Sequence, residues 1–141
     1  MHGRICFSGA TIVAGDDFQL VSKESLNVID GRIVSIGAPI ADKVQISFES
    51  SLICPMFINA HSHLGDTGAK ELGIGIPMEM LVSPPNGLKH LFLNKLNRDE
   101  HISHMRHGLN EMLSNGIIAC GDFREQGLEG VIRLKEASKD L

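Results

Sequence analysis

The stretch PMFINAHSHL, residues 55–64, decides the predicted fold. Residues 56–60 form an apolar run that ends at His61-Ser62-His63. Apolar side chains at consecutive positions are typical of a strand that is buried on both faces, as in a parallel sheet covered by helices. The stretch therefore predicts a buried parallel strand with two histidines at its end.

His61 and His63 are two residues apart, and side chains at that spacing lie on the same side of a strand. Two imidazole nitrogens from one rigid element form half of a divalent-metal site. Active sites of parallel α/β folds lie at the carboxyl ends of the strands, which is where this pair is expected. The chain has seven histidines, so a His-x-His triplet also arises by chance, and the metal interpretation depends on its context.

Downstream of the histidines, the predicted order is a long loop, a helix, a strand and a second helix. The loop covers residues 64–97 and is rich in glycine and proline; loops of that length are usually functional or partly helical. Asn97 and Glu100 predict a capped helix that ends at residues 114–116. Residues 117–120 predict a second buried strand, and another helix begins near Leu128. Strands that alternate with helices in this way predict a parallel sheet.

Upstream, residues 1–54 predict a small β-sheet unit. Asp30-Gly31 separates two short apolar runs, 26–29 and 32–36, and Asp-Gly in that position is a strong hairpin pattern because a primed turn needs positive φ. Further short strands are predicted within 5–13, at 44–48 and at 52–54. His2 is expected to be a mobile terminal residue.

Composition excludes several functional classes. The chain has 141 residues, 43% of them hydrophobic and 21% charged, with a net charge of −4, which fits a folded globular protein. It has no basic stripe and no Trp or Tyr, so no nucleic-acid partner is expected. No apolar run approaches the ~20 residues of a membrane span. Cys6, Cys54 and Cys120 are predicted to be buried reduced thiols of a cytoplasmic protein.

Three segments together resemble the amidohydrolase superfamily of metal-dependent hydrolases, particularly its cytosine-deaminase and chlorohydrolase-like branch. They are the hairpin LNVIDGRIVSIG at 26–37, PMFINAHSHL at 55–64 and NGIIACGD at 115–122. The resemblance implies an α/β fold in which residues 1–54 form part of an N-terminal β-sandwich. Residues 55–141 would then be the first two β/α units of an incomplete (β/α)₈ barrel. Met56 and Ile118 depart from the family's usual Gly and Thr, and neither change affects the histidines.

The resemblance also implies a chemistry. His61 and His63 would bind a divalent metal, Zn²⁺ foremost and Fe²⁺ or Mn²⁺ otherwise, for hydrolysis of a C–N bond that is not a peptide. The implied reaction is deamination of an amino-substituted nitrogen heterocycle, a small-molecule substrate. The alternative within the family is opening of a cyclic amide, as in dihydropyrimidinase-like or imidazolonepropionase-like members.

Length sets a limit on this chain. A complete barrel needs about 250 residues, and the family's remaining metal ligands and acid/base groups come from later strands. We therefore expect no catalytic residue within residues 1–141 and no activity from the chain alone. It would be a piece of a longer hydrolase, a non-catalytic remnant, or a subunit that completes its barrel with another polypeptide or a second copy.

Three further residues are candidates for substrate binding. Arg124 would meet an anionic or carbonyl group, and His90 lies in the long loop, where substrate contacts are common. Asp66 would either orient a histidine or serve as a turn residue. Asp122 is expected to cap a helix. The histidines at 101, 104 and 107 lie beside or opposite the apolar arc of the helix over 98–114, which favours a solvated polar face over a metal clasp.

Overall fold

A computed structural model describes residues 3–141, so His2 lies outside the described residues. The chain divides into two compact units, Met1–Pro55 and Met56–Leu141. The first unit consists of short strands and the second mixes strands with helices, so the α/β class is confirmed at the level of a mixed fold with several small sheets. No described helix is both long and apolar enough to span a membrane.

In the described part of the first unit, from residue 3 onward, seven strands form two sheets. The first sheet has the order β5-β4-β1-β6 and the second β3-β2-β7. The strands are β1 Arg4–Ser8, β2 Thr11–Ala14, β3 Gln19–Val21, β4 Ser25–Ile29, β5 Arg32–Gly37, β6 Val44–Ser47 and β7 Leu52–Ile53. Asp30 and Gly31 have φ of 51° and 78°, the positive values that a primed turn requires. The sequence pattern predicted this β4–β5 hairpin correctly, but it did not predict β3.

A polar residue fixes the interior of the first unit. The side chain of Asn27 is fully buried. Its amide donates to Ser35 Oγ and to the Ala38 carbonyl, both at 3.0 Å, and its Oδ1 accepts from the Ile40 backbone at 3.3 Å. Buried polar groups are tolerated when they are bonded in this way.

Cys6 is buried as predicted, whereas Cys54 is exposed, so its prediction as a core thiol was wrong.

The second unit has two parallel strands with helices before and after the second. Strand β8, Phe57–Ser62, pairs with β9, Ile117–Asp122. A 3₁₀ helix over Leu64–Ala69 follows β8, and two short helices, α1 Met78–Val82 and α2 Leu88–Leu93, lie within the predicted loop. The long helix α3, Arg98–Ser114, has the predicted capping box between Asn97 and Glu100. Helix α4, Gly127–Ala137, follows β9.

The two strands of the second unit are not buried on both faces, which corrects the sequence prediction. Phe57, Ile58 and Ile118 are exposed, Ile58 at 72% of its surface. Cys120 of β9 is half-buried and packs against a core around Met105, Ile102 and Leu64. Within the described residues β8 and β9 pair only with each other, so the outer edge of each strand has no partner strand there.

Helix α3 is buried more widely than its apolar arc predicts. The 3₁₀ helix and α4 both pack against it. His101 is therefore fully buried and does not lie on a solvated polar face. Burial, followed by the positive charges of Arg124 and Arg133, lowers the pKa of His101. His104 is half-buried and stacks on Phe92 with ring centroids 6.0 Å apart. The expected solvated face therefore holds only for His107, which is exposed beside Glu111.

Candidate metal centre

The two histidines predicted as metal ligands lie together where β8 ends. His61 Nε2 and His63 Nε2 are 3.2 Å apart. Asn59 Oδ1 accepts from the His61 backbone N–H at 3.1 Å, and the Phe123 ring lies 4.5 Å from His61 and 5.5 Å from His63 between centroids. The strand end and the aromatic ring thus keep both imidazoles on the same side of the chain.

This spacing fits a shared metal ion. Zinc–nitrogen bonds of 2.0–2.1 Å in tetrahedral geometry place two ligand nitrogens roughly 3.3 Å apart. The observed 3.2 Å between the two Nε2 atoms is close to that separation. A catalytic zinc site needs a third protein ligand, and the histidine pair supplies two.

A cluster of charged groups adjoins His63. One ligand-type atom each from His63, Asp66 and Glu125 lies within 4.8 Å of the others, and the ammonium group of Lys89 lies among them. Lys89 Nζ is 2.9 Å from Asp66 Oδ2 and forms an ion pair with Glu125. Lys89 thus supplies one positive charge that the two carboxylates share.

The pKa values of this cluster follow from its pairing. Burial opposes the positive charge of Lys89, yet its hydrogen bonds to Glu125 and Asp66 raise the pKa of its ammonium group. Burial likewise opposes ionisation of Glu125, but hydrogen bonds from Lys89 and Arg124 lower the pKa of its carboxyl group to about 2. Both groups therefore carry their charges at neutral pH.

A buried ion pair lies beneath this cluster. Arg124 and Asp122 have side chains exposed by only 6% and 5%, and Arg124 Nη1 is 3.0 Å from Asp122 Oδ2. Arg124 Nη2 is 2.9 Å from Glu125 Oε2. Asp122 Oδ1 also accepts from the Leu64 backbone at 2.7 Å and from Ser62 Oγ at 3.2 Å. These bonds join the end of β9 to the segment that carries His63.

Two archaeal proteins are similar to most of the chain. An uncharacterized protein of Methanocaldococcus jannaschii is 38% identical over 125 residues, which are 89% of this chain and 32% of that protein. A protein of Methanothermobacter thermautotrophicus named "Putative aminohydrolase" is 37% identical over 134 residues, which are 93% of this chain and 34% of that protein. The chain thus spans about a third of the length of the curated relatives it matches. No family model matches the chain.

Solved hydrolase structures share its fold. An atrazine chlorohydrolase from Arthrobacter aurescens TC1, complexed with zinc, has a TM-score of 0.63 at 24% identity, covering 97% of this chain and 33% of that one. Molinate hydrolase has a TM-score of 0.63 at 20% identity, covering 96% of this chain and 27% of that one. These likenesses agree with the predicted resemblance to the amidohydrolase superfamily at the level of the fold. At these identities the likeness to the solved structures concerns the fold.

Within this fold, the three residues predicted to bind substrate have different surroundings. Asp66 lies beside His63, in the 3₁₀ helix rather than a simple turn. His90 lies in α2, and its Nε2 is 3.1 Å from the Val82 carbonyl. Arg124 is buried and bound by two carboxylates. Asp122 does not cap α4, whose N-cap residue is Gln126; it binds the Leu64 backbone instead because that segment lies across from the end of β9.

Sequence reasoning missed Lys89 and Glu125 as members of the charged cluster beside His63. Both have mostly buried side chains, exposed by 14% and 20%. Glu125 directly follows the buried Arg124, and its position just after a strand that ends beside His63 was the one available signal. Lys89 comes from α2, a short helix within the predicted loop, and no local pattern connects it with the histidines.

A cavity of about 570 Å³ opens beside His63. Asp66 and Lys89 also line it, and its apolar wall includes Leu72, Leu81 and Met112. A volume of this size is typical of sites for small molecules.

Glu125 should make the stability of the chain pH-dependent. Its pKa falls from 4.5 to about 2 on folding, so its contribution is present above pH 4.5 and is lost as the pH falls toward 2. The shift corresponds to about 3 kcal/mol. In urea unfolding, Glu125→Gln should lower the free energy of unfolding at pH 7 and should flatten its decline below pH 4.5.

Glu136→Gln is the matched control, since Glu136 pairs with Arg98 at the exposed surface and exposed pairs contribute little. Equal effects of the two substitutions would contradict the assigned role of Glu125.

Proposed function

We propose that this chain forms part of a metal-dependent amidohydrolase in which His61 and His63 hold a divalent ion, Zn²⁺ foremost. The observation that carries the proposal is the 3.2 Å separation of the two Nε2 atoms at the end of a parallel strand, in a fold shared with a zinc-complexed chlorohydrolase. A bound divalent metal activates water for attack on carbon.

The proposed reaction is hydrolytic deamination of an amino-substituted nitrogen heterocycle. The name of the Methanothermobacter relative, an aminohydrolase, supports this class of reaction. The cavity beside His63 supports a small-molecule substrate. In this reaction His61 and His63 would orient the metal through Nε2, and the Phe123 ring, which packs against both, would keep bulk water from that side.

The test is ammonia release by the protein expressed from its complete reading frame. Purified protein with zinc is offered a panel of amino-substituted heterocycles, and ring opening of cyclic amides is followed in parallel. We expect ammonia release that disappears in His61→Ala/His63→Ala and persists in His107→Ala, whose ring is exposed beside Glu111. Ring opening without ammonia release would favour the cyclic-amide alternative. The 141-residue chain by itself is expected to show neither activity.

A second proposal is that the chain acts as a subunit that shares its barrel with another polypeptide. The exposed apolar side chains of Phe57, Ile58 and Ile118 favour it, because such a surface on a two-stranded sheet can pair or pack with a further segment. Sedimentation of the purified chain separates the possibilities. A discrete homo-oligomer would support self-completion, whereas a monomer would favour a different segment as the partner.

A further inference from the structure

The two ring nitrogens of His63 have different surroundings. Nε2 faces His61 Nε2 at 3.2 Å. Nδ1 faces two charged groups of opposite sign at nearly equal distances: Lys89 Nζ at 3.4 Å and Glu125 Oε1 at 3.5 Å. Which of these groups binds Nδ1 determines where the ring carries its proton.

The two neighbours require opposite tautomers of His63. A lysine ammonium only donates, so a bond from Lys89 needs a bare Nδ1 and leaves the proton on Nε2. An ionised carboxylate only accepts, so a bond to Glu125 needs the proton on Nδ1 and leaves the Nε2 lone pair free. A neutral imidazole can bind a metal through Nε2 only in the second arrangement.

The contacts of the cluster favour Glu125 as the partner of Nδ1. Lys89 already donates to Asp66 at 2.9 Å and to Glu125. Glu125 is anchored through its other oxygen, Oε2, which lies 2.9 Å from Arg124 Nη2. The carboxylate is therefore held with Oε1 toward His63.

We propose that Glu125 is a positioning residue: its Oε1 accepts the Nδ1 proton of His63 and thereby leaves Nε2 free to bind the metal. The inference deepens the proposed function and rests on it for the identity of His63 as a ligand. Arg124 acts through Glu125, because its bond to Oε2 holds the carboxylate in place.

The tautomer of His63 can be measured without any metal. Long-range ¹H–¹⁵N NMR of the labelled chain at about pH 8, where an ordinary imidazole is neutral, distinguishes a protonated from a bare ring nitrogen, and His63→Ala identifies the signals. We expect the Nδ1–H form in the wild type and an unchanged form in Lys89→Met. Glu125→Ala should lose this fixed tautomer, and Glu129→Ala, which removes a partner of Arg133, should retain it.

The opposite pattern would overturn the proposal: an Nε2–H ring in the wild type that becomes Nδ1–H in Lys89→Met. The His63 tautomers of the wild type and of Lys89→Met distinguish the two arrangements even if Glu125→Ala does not fold.

Zinc affinity gives an independent second readout. In competition with a chromophoric chelator, Glu125→Ala should bind Zn²⁺ about 10–100-fold more weakly than the wild type, as expected for loss of a carboxylate that orients a ligating histidine. The zinc affinity of Glu125→Gln should lie between those of Glu125→Ala and the wild type, because its amide oxygen still accepts a hydrogen bond. Glu129→Ala should bind zinc as the wild type does. A wild type with the Nδ1–H form that binds no zinc would support the tautomer assigned through Glu125 and would mean that metal ligands from outside residues 1–141 are needed for binding. Equal zinc affinities of wild type and Glu125→Ala would contradict that role.

Discussion

Zinc binding by the purified, untagged chain is expected to disappear when His61 and His63 are both replaced by alanine. Their Nε2 atoms lie 3.2 Å apart, the separation of two ligands of one tetrahedral ion, and the substitutions remove both. Metal content after dialysis, together with chelator competition, measures the loss. We expect about one ion per wild-type chain and none in the double variant.

The matched control replaces two histidines that lie elsewhere. His90 faces the Val82 carbonyl and His107 lies beside Glu111 on α3, so His90→Ala/His107→Ala should bind zinc as the wild type does. Metal retained by His61→Ala/His63→Ala would show that these residues are not the ligands. A wild type without metal would mean that ligands from outside residues 1–141 are needed for binding.

The parts of the fold that the sequence predicted well are governed by local interactions. Asp30-Gly31 determines its turn because few residues adopt the positive φ of a primed turn, and this β4–β5 hairpin is present. Asn97 and Glu100 cap α3 through bonds within one turn of helix. His61 and His63 are close because they are two residues apart at a strand end.

The parts that sequence reasoning missed depend on contacts between distant segments. Lys89 reaches His63 and Glu125 only because α2 folds back over the strand ends, and no periodicity encodes that approach. His101 is buried because two elements pack on α3, which an arc of apolar residues on one helix does not reveal. The exposure of Ile58 has a similar origin, since burial of a strand depends on what packs against it.

Arg124 illustrates how burial changes the interpretation of a residue. Its position after β9, near the predicted site, suggested a contact with substrate. The guanidinium is instead bound by Asp122 at 3.0 Å and Glu125 at 2.9 Å, with only 6% of the side chain exposed. Its Nη1 also lies 3.1 Å from Met105 Sδ in the core. A side chain with these partners has little capacity left for an external anion.

Arg124→Met is therefore expected to destabilise the chain by about 3–5 kcal/mol, because removal of one partner leaves buried carboxylates without their counter-charge. Urea unfolding at pH 7 measures the loss, and Arg124→Lys, which keeps the charge but not the two-pronged geometry, should fall between the variant and the wild type. Arg98→Met removes an arginine from an exposed pair with Glu136 and should change the stability little. If Arg124→Met were as stable as Arg98→Met, the structural role assigned to Arg124 would be wrong.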